Sequence, residues 1–315
     1  MSKIVDLRDL DLVFTTSFFF THGVCGHLYE MIEYCYITRR NGINSGILLA
    51  DGVTKEVFEQ TLKDKYVFTE EEYNDIVDNT YECFQPKIIR ANNVCLVDGS
   101  WRILNCVMYA DNVFLLRCSE GDFTFFDKHK SIKRTHLLQD FKLYDERFEK
   151  LDINVEHYIK KILWGKYKQP KLTKTNTALL YLTTSTRSTS LEYVQKLMEK
   201  KLCDNYLIVT NMPELYKSLE APNVRVELAP VNNIHDLFDT YIYTPTRWKS
   251  DCSPRFIVEC AVYGKQVVYE IDYVCRGIER RIEDIEEDLG ALELKDNDYF
   301  IEYVKQNIYE KSYSN

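Results

Sequence analysis

The chain has little of what marks secreted, membrane or metal-bound proteins. It carries 10 cysteines but no Cys-x-x-Cys pair, and most stand singly in apolar stretches such as Glu82-Cys83-Phe84 and Val94-Cys95-Leu96. That pattern predicts free thiols in a reducing compartment and excludes a dense disulfide framework or a zinc ribbon. No hydrophobic run is long enough to span a bilayer; Leu12 to Phe20 comes nearest and is broken by Thr15, Thr16 and Ser17. Acidic Asp6, Asp9 and Asp11 stand where a secretory leader would be basic, so the expectation is a cytoplasmic chain without a membrane partner. There is no excess of positive charge. With a net charge of −9 the overall field disfavours wrapping by nucleic acid, while a local basic patch stays open. Gly-x-Gly-x-x-Gly, Gly-x-Ser-x-Gly and P-loop signatures are missing, and the histidines form no metal-ligand spacing, so no metal is expected. There is no internal repeat and no low-complexity tract.

What is present is a globular composition, 45% hydrophobic and 28% charged over 315 residues, enough for two domains. Leu12–Phe20 reads as a buried strand, Leu28–Arg40 as a helix stopped by Asn41-Gly42, Ile47–Ala50 as a strand and Thr54–Lys65 as a helix. This alternation predicts a parallel α/β unit. In the middle, Glu70–Phe84 reads as helix. Val94–Val97, Cys106–Tyr109 and Val113–Cys118 read as strands, with Asp98-Gly99 and Asp111-Asn112 as turns and some pairing antiparallel. Asp152–Trp164 reads as helix.

Gly165–Lys171 is polar and basic with Gly165 and Pro170 as breakers, and reads as an interdomain linker. A second alternation follows. Strands are expected at Thr177–Thr183, Tyr206–Val209, Val224–Leu228, Tyr241–Tyr243 and Gln266–Tyr269, and helices at Leu191–Lys200 and Ser253–Val262. A helical pattern returns near Tyr299–Val304. The expected division is 1–165, 171–285 and a C-terminal helical segment, 286–315, crossing back onto the first domain.

The segment richest in chemistry runs from Asp251 to Val268. An acid is followed by seven residues and Glu259, and then by Gly264-Lys265-Gln266-Val267-Val268. A loop here feeds a helix whose first turn carries Ser253 and Arg255, and a helix N-terminus with a guanidinium favours phosphate. Glu259 lies one turn beyond Arg255, and its carboxylate can accept two hydrogen bonds from a diol such as ribose. The plain alternative is an exposed Arg255–Glu259 ion pair.

This segment resembles that of GT-B glycosyltransferases, with Asp251 where the family usually has Glu. The resemblance is close over this stretch and elsewhere rests on the α/β alternation. It implies two Rossmann-like α/β domains facing across a cleft. The first would bind an acceptor and the second a nucleoside-diphosphate sugar, most simply a UDP-sugar, as co-substrate rather than cofactor. It also implies that Glu259 binds ribose and Asp251 lies near the donor sugar. Around these, Arg187 and Ser188 in the loop Thr184–Ser190 would meet the diphosphate, as would Arg247. The alternative for that loop is a helix N-cap at Ser188 or Thr189. In the first half, Gly23 and Gly26 allow close backbone approach, and His22 is a candidate base for an acceptor hydroxyl.

The implied reaction is hexosyl or pentosyl transfer, with inversion or retention open. Size and composition also resemble phage-encoded sugar transferases that act on hydroxymethylated DNA bases in the host cytoplasm. This makes such DNA one acceptor and a saccharide the other. The Lys128, His129, Lys130, Lys133, Arg134 cluster is the candidate backbone contact, or a solvated loop. A sugar-nucleotide epimerase of the same fold and a non-catalytic α/β binding module are the alternatives.

Overall fold

The computed structural model describes residues 3–15, 26–50, 53–97, 106–115, 131–139, 154–157, 166–170, 174–182, 190–229, 231, 233–244, 255–269 and 298–309. The chain is α/β and forms two compact units, Met1–Lys168 with Ala291–Asn315, and Gln169–Gly290.

Among the described residues the first unit carries nine strands: β1 (Ile4–Asp6), β2 (Leu12–Thr15), β3 (Ser45–Leu49), β4 (Thr80–Glu82), β5 (Ile88–Arg90), β6 (Asn93–Leu96), β7 (Val107–Leu115), β8 (Ile132–Gln139) and β9 (Asn154–His157). Its helices are α1 (Gly26–Arg40), α2 (Lys55–Lys65), α3 (Glu70–Asp78) and α6 (Asp298–Tyr309). The sheet path is β1-β5-β7-β6-β2-β3-β4, with β8 beside β7 and β9 beside β8, and every one of these pairs is parallel. Ile88 faces Val107 and Asn93 faces Asn112 in one register, so β5 and β6 run as a single interrupted strand along β7. β1 and β2 flank them in the same way. Counted so, the first strand line sits between the second and the fourth. This is a doubly wound order with its switch between β2 and β6.

The sheet curls into a half-barrel. Alternate residues of five strand lines meet inside it, among them Val13, Leu48, Ile89, Val94, Met108 and Val113. β2 and β3 are buried on both faces, which is why they read as continuous apolar runs. Gly46 has no room for a side chain, because a Cβ there would stand 2.7 Å from the Asn79 carbonyl and 2.7 Å from Leu10. On the outer face Tyr34 of α1 packs on Phe14 and on Phe300 of α6.

The strand lines are stitched by a buried polar ladder. Asn93 Nδ2 donates to the Asp11 carbonyl at 2.7 Å, and Asn112 Nδ2 donates to Asn93 Oδ1 at 2.5 Å and to the Asn307 carbonyl at 3.3 Å. That leaves Asn112 Oδ1 to accept from His136 Nε2 at 3.1 Å, so His136 Nδ1 accepts from the Tyr303 hydroxyl at 2.8 Å. Tyr309 closes the row on Asp11 Oδ2 at 2.6 Å. The ladder therefore fixes α6 on this unit.

Several expectations are corrected here. Among the described residues no pair of named strands is antiparallel, and Asp111-Asn112 lies inside β7. Asn112 reads as a turn residue because it is polar, yet its amide belongs to the ladder. Glu70–Phe84 is not one helix. α3 ends at Asp78, and Thr80–Glu82 pairs with β3. Asn154–His157, expected to be helical, is a strand on β8, and Lys133 and Arg134 stand in β8 rather than in a loop. The boundary between the units, after Lys168, falls within the expected linker Gly165–Lys171, whose first described residues pack on the first unit. Tyr167 is buried and stacks on Tyr66, and both hydroxyls donate to buried Glu33.

The second unit is a five-stranded parallel sheet of β10 (Thr177–Leu182), β11 (Asn205–Thr210), β12 (Val224–Leu228), β13 (Thr240–Tyr243) and β14 (Gln266–Tyr269), in the order β12-β11-β10-β13-β14. α4 (Leu191–Glu199) covers the face that carries Ala178, Leu180 and Ile208, and α5 (Arg255–Val262) covers the face that carries Leu179, Leu207 and Tyr241. Ser190, rather than Ser188 or Thr189, caps α4, accepting from the Tyr193 amide at 3.2 Å.

Burial, with a smaller push from Arg134, lowers the His136 pKa from 6.5 to about 4. Between those values the unfolded chain binds more protons than the folded one. Stability is therefore full above about pH 6.5 and falls as pH drops toward 4, by about 3 kcal/mol in all. Replacing His136 with Gln should flatten this part of a melting-temperature profile; an unchanged slope would remove His136 as its source.

Candidate functional site

In an open parallel sheet, ligands bind beyond the strand C-termini where the strand order reverses. In the second unit that point lies between β10 and β13. Residues 183–189 follow β10 and residues 245–254 follow β13, so both sequence-selected segments leave the sheet at its switch point. Arg187, Ser188, Arg247, Asp251 and Ser253 lie outside the described residues. In the first unit the equivalent point follows β2; His22 and Gly23 are likewise outside the described residues, and Gly26 begins α1.

Arg255 and Glu259 are described, and α5 holds them together. The helix forms because Ile257 and Cys260 are buried against β10, β11 and β13. It ends at Gly264, whose φ of +63° suits a residue without Cβ, and the Lys265 amide closes back on the Cys260 carbonyl at 2.8 Å.

Arg255 Nε donates to Glu259 Oε1 at 2.8 Å, and the other carboxylate oxygen, Oε2, meets His235 Nε2 at 3.0 Å. The residues Arg255, Glu259 and His235 are 6%, 4% and 9% exposed respectively, so the pair belongs to a buried triad rather than an exposed helical ion pair. Aromatic rings enclose it. His235 stacks on Phe256 at 4.9 Å between centroids, Tyr263 lies at 4.6 Å, and Phe256 stacks in turn on Tyr181 at 5.1 Å.

His235 is the residue that sequence reasoning passed over, since its neighbours Asn232, Asn233, Asp236 and Asp239 are polar. Its partner is 24 positions away, on the far side of β13, and no local spacing connects the two. Neither family models nor curated proteins give a match to this chain.

In chemical terms, the triad places a guanidinium at the first residue of a helix that starts from the switch point, and anchors it through a carboxylate. Both carboxylate oxygens are engaged inside the protein, so a ribose hydroxyl would reach Glu259 only by exchanging with one of these contacts. Lys133 and Arg134 of the basic cluster are exposed, with Lys133 paired to Asp111 at 2.7 Å; Lys128, His129 and Lys130 lie outside the described residues. Among the described residues no group of three His, Cys, Asp or Glu side chains forms a metal site, and no helix is long and apolar enough to cross a membrane. The six described cysteines, Cys35, Cys83, Cys95, Cys106, Cys203 and Cys260, are free thiols.

Removing one member of a buried ion pair strands the others in an apolar setting, a loss of about 3–5 kcal/mol, whereas apolar replacement of the whole pair is much milder. Glu259→Ala should therefore lower the denaturation midpoint of the second unit sharply, and Arg255→Leu with Glu259→Leu should recover much of it. Equal losses in the single and double variants would show that the ion pair is not the source.

Proposed function

We propose that this chain is a glycosyltransferase of the two-domain GT-B kind. It would move a sugar from a nucleoside-diphosphate sugar, a UDP-sugar in the first instance, to an acceptor hydroxyl on a saccharide or a hydroxymethylated DNA base. The observation that carries the reading is the strand order of the second sheet. The segments chosen from sequence for phosphate and sugar chemistry all follow the two strands that flank its switch point. The doubly wound order of the first sheet, with the His22 segment after β2, supports the same reading.

In this reading the acceptor oxygen attacks the anomeric carbon of the donor, and the bond from that carbon to the diphosphate oxygen breaks. The departing diphosphate gains negative charge, and Arg255 at the start of α5, with Arg187 and Arg247, stabilises it. The acceptor proton passes to His22 in an inverting course. Asp251 stands near the donor sugar, and Glu259 holds Arg255, meeting the ribose by exchanging its contact with His235. The net charge of −9 favours a saccharide acceptor over DNA, and a DNA acceptor would engage the exposed Lys133 and Arg134.

A thermal-shift series with UDP, GDP, CMP and their sugar conjugates tests the reading. A ligand at about 100 times its Kd adds about 2.7 kcal/mol to folded-state stability. One nucleotide class should therefore raise the melting temperature by several degrees, with the shift reduced in Glu259→Gln. No shift with any of them would replace this reading with a binding module of another specificity.

A further inference from the structure

Sheets made only of parallel strands are normally covered on both faces. Among the described residues of the first unit, α1 and α6 cover the outer face beside Phe14, Asn112 and Phe114. Over β1, β5 and the start of β7 the same face is open. Val5, Ile89 and Met108 point into the half-barrel, so their alternating neighbours stand on the outer face. These neighbours form two rows in register across three strand lines, Ile4, Ile88 and Val107 in one and Asp6, Arg90 and Tyr109 in the next. Ile4, Val107 and Tyr109 are 49%, 46% and 48% exposed, and Asp6 and Arg90 are exposed as well.

The first row offers only branched aliphatic side chains. The second sets a phenol ring beside a guanidinium and a carboxylate. The Arg90 guanidinium lies 6.0 Å from the Tyr109 ring centroid and has no hydrogen-bond or ion-pair partner among the described residues. Arg8 forks onto Asp6, Nε to Oδ1 at 2.8 Å and Nη2 to Oδ2 at 2.6 Å, which leaves Oδ2 a lone pair for another donor. Asp6 and Asp9 balance Arg8 and Arg90, and Lys133 beyond them is paired with Asp111.

We infer that this face binds a neutral saccharide chain. The C–H side of a sugar ring covers the aliphatic row and the Tyr109 ring, while its hydroxyls accept from Arg90 and donate to Asp6. Balanced charges suit a ligand that both accepts and donates. A polyanion would meet Asp6 and Asp9 here and a net charge of −9 overall. A second copy of the chain needs about 800 Å² from each partner for a stable interface. Two rows on three strands measure only about 10 by 7 Å, the scale of a short run of sugar rings. The face lies on the first strand segments, away from the strand C-termini, so it holds a saccharide without reacting with it. The inference stands apart from the glycosyltransferase reading; where both hold, the face anchors a polymeric acceptor.

The test is the binding of cellohexaose, maltohexaose, mannohexaose and chitohexaose to the full chain, followed by calorimetry and by saturation-transfer NMR. At least one should bind, and Tyr109→Ala should weaken it by about tenfold, the scale of one aromatic contact. Tyr109→Phe keeps the ring and should bind as the wild type does. Arg90→Ala should also weaken binding by about tenfold, through the loss of charged hydrogen bonds. Both positions are exposed, so the variants should melt close to the wild type, and melting curves without ligand check this.

No binding of any of the four oligosaccharides would overturn the inference. So would binding that Tyr109→Ala and Arg90→Ala leave unchanged, since the saccharide would then sit elsewhere on the chain. A dimer seen by analytical ultracentrifugation and dissolved by Tyr109→Ala, without saccharide binding, would give the face to a second copy instead. None of these outcomes touches the donor reading, which the nucleotide series tests. Silence of every nucleotide beside Tyr109-dependent saccharide binding would remove that reading and leave this inference standing.

Discussion

Parallel strands cannot be joined by a tight turn, so each parallel connection has to cross a face of the sheet before the chain can pair again. All named strand pairs in both units are parallel. From this constraint comes most of the architecture. Crossing segments bury β2, β3 and β10 on both faces, and the strand C-termini collect at one edge. Where the winding reverses, neighbouring connections leave in opposite directions and open a crevice. The second unit has one such point, between β10 and β13, and the site argued above hangs on it.

Burial on both faces raises the cost of any polar group inside, and each unit meets that cost by pairing. In the first unit Asn93, Asn112 and His136 form a row in which the amide orientation of Asn112 decides the imidazole tautomer, and Tyr303 and Tyr309 complete it from α6. In the second unit Glu259 is deep enough that its charge would be untenable alone, and it is met by Arg255 on one side and His235 on the other. Both assemblies join residues remote in sequence through hydrogen bonds of 2.5–3.3 Å. Directionality makes such networks specific, whereas the surrounding aliphatic packing would tolerate several arrangements.

The second unit was largely legible in the sequence. Its strands have apolar cores bounded by polar turns, and α5 carries a clear stop at Gly264, whereas the cap of α4 falls at Ser190 and not at the Ser188 or Thr189 that the sequence suggested. The first unit was less so. Asp111-Asn112 has turn composition, and only the pairing of Asn112 with Asn93 and His136 reveals it as the interior of a strand. Thr80–Glu82 continues the polar pattern of α3, and what makes it a strand is the waiting edge of β3. Tyr167, set among lysines and a proline, looked like linker, and the Tyr66 ring and the Glu33 carboxylate draw it into the first unit.

The sequence by itself determined the α/β class, the helix and strand positions of the second unit, and the spacing that puts Arg255 and Glu259 on one face of a helix. Those features depend on local periodicity and on residues within a turn or two of one another. Strand order, the curl of the first sheet, the docking of α6 and the entry of His235 were decided only in three dimensions. Each depends on which distant segment meets a given edge or carboxylate, and hydrogen-bond partners separated by 24 or by 195 positions leave no periodic trace in the chain.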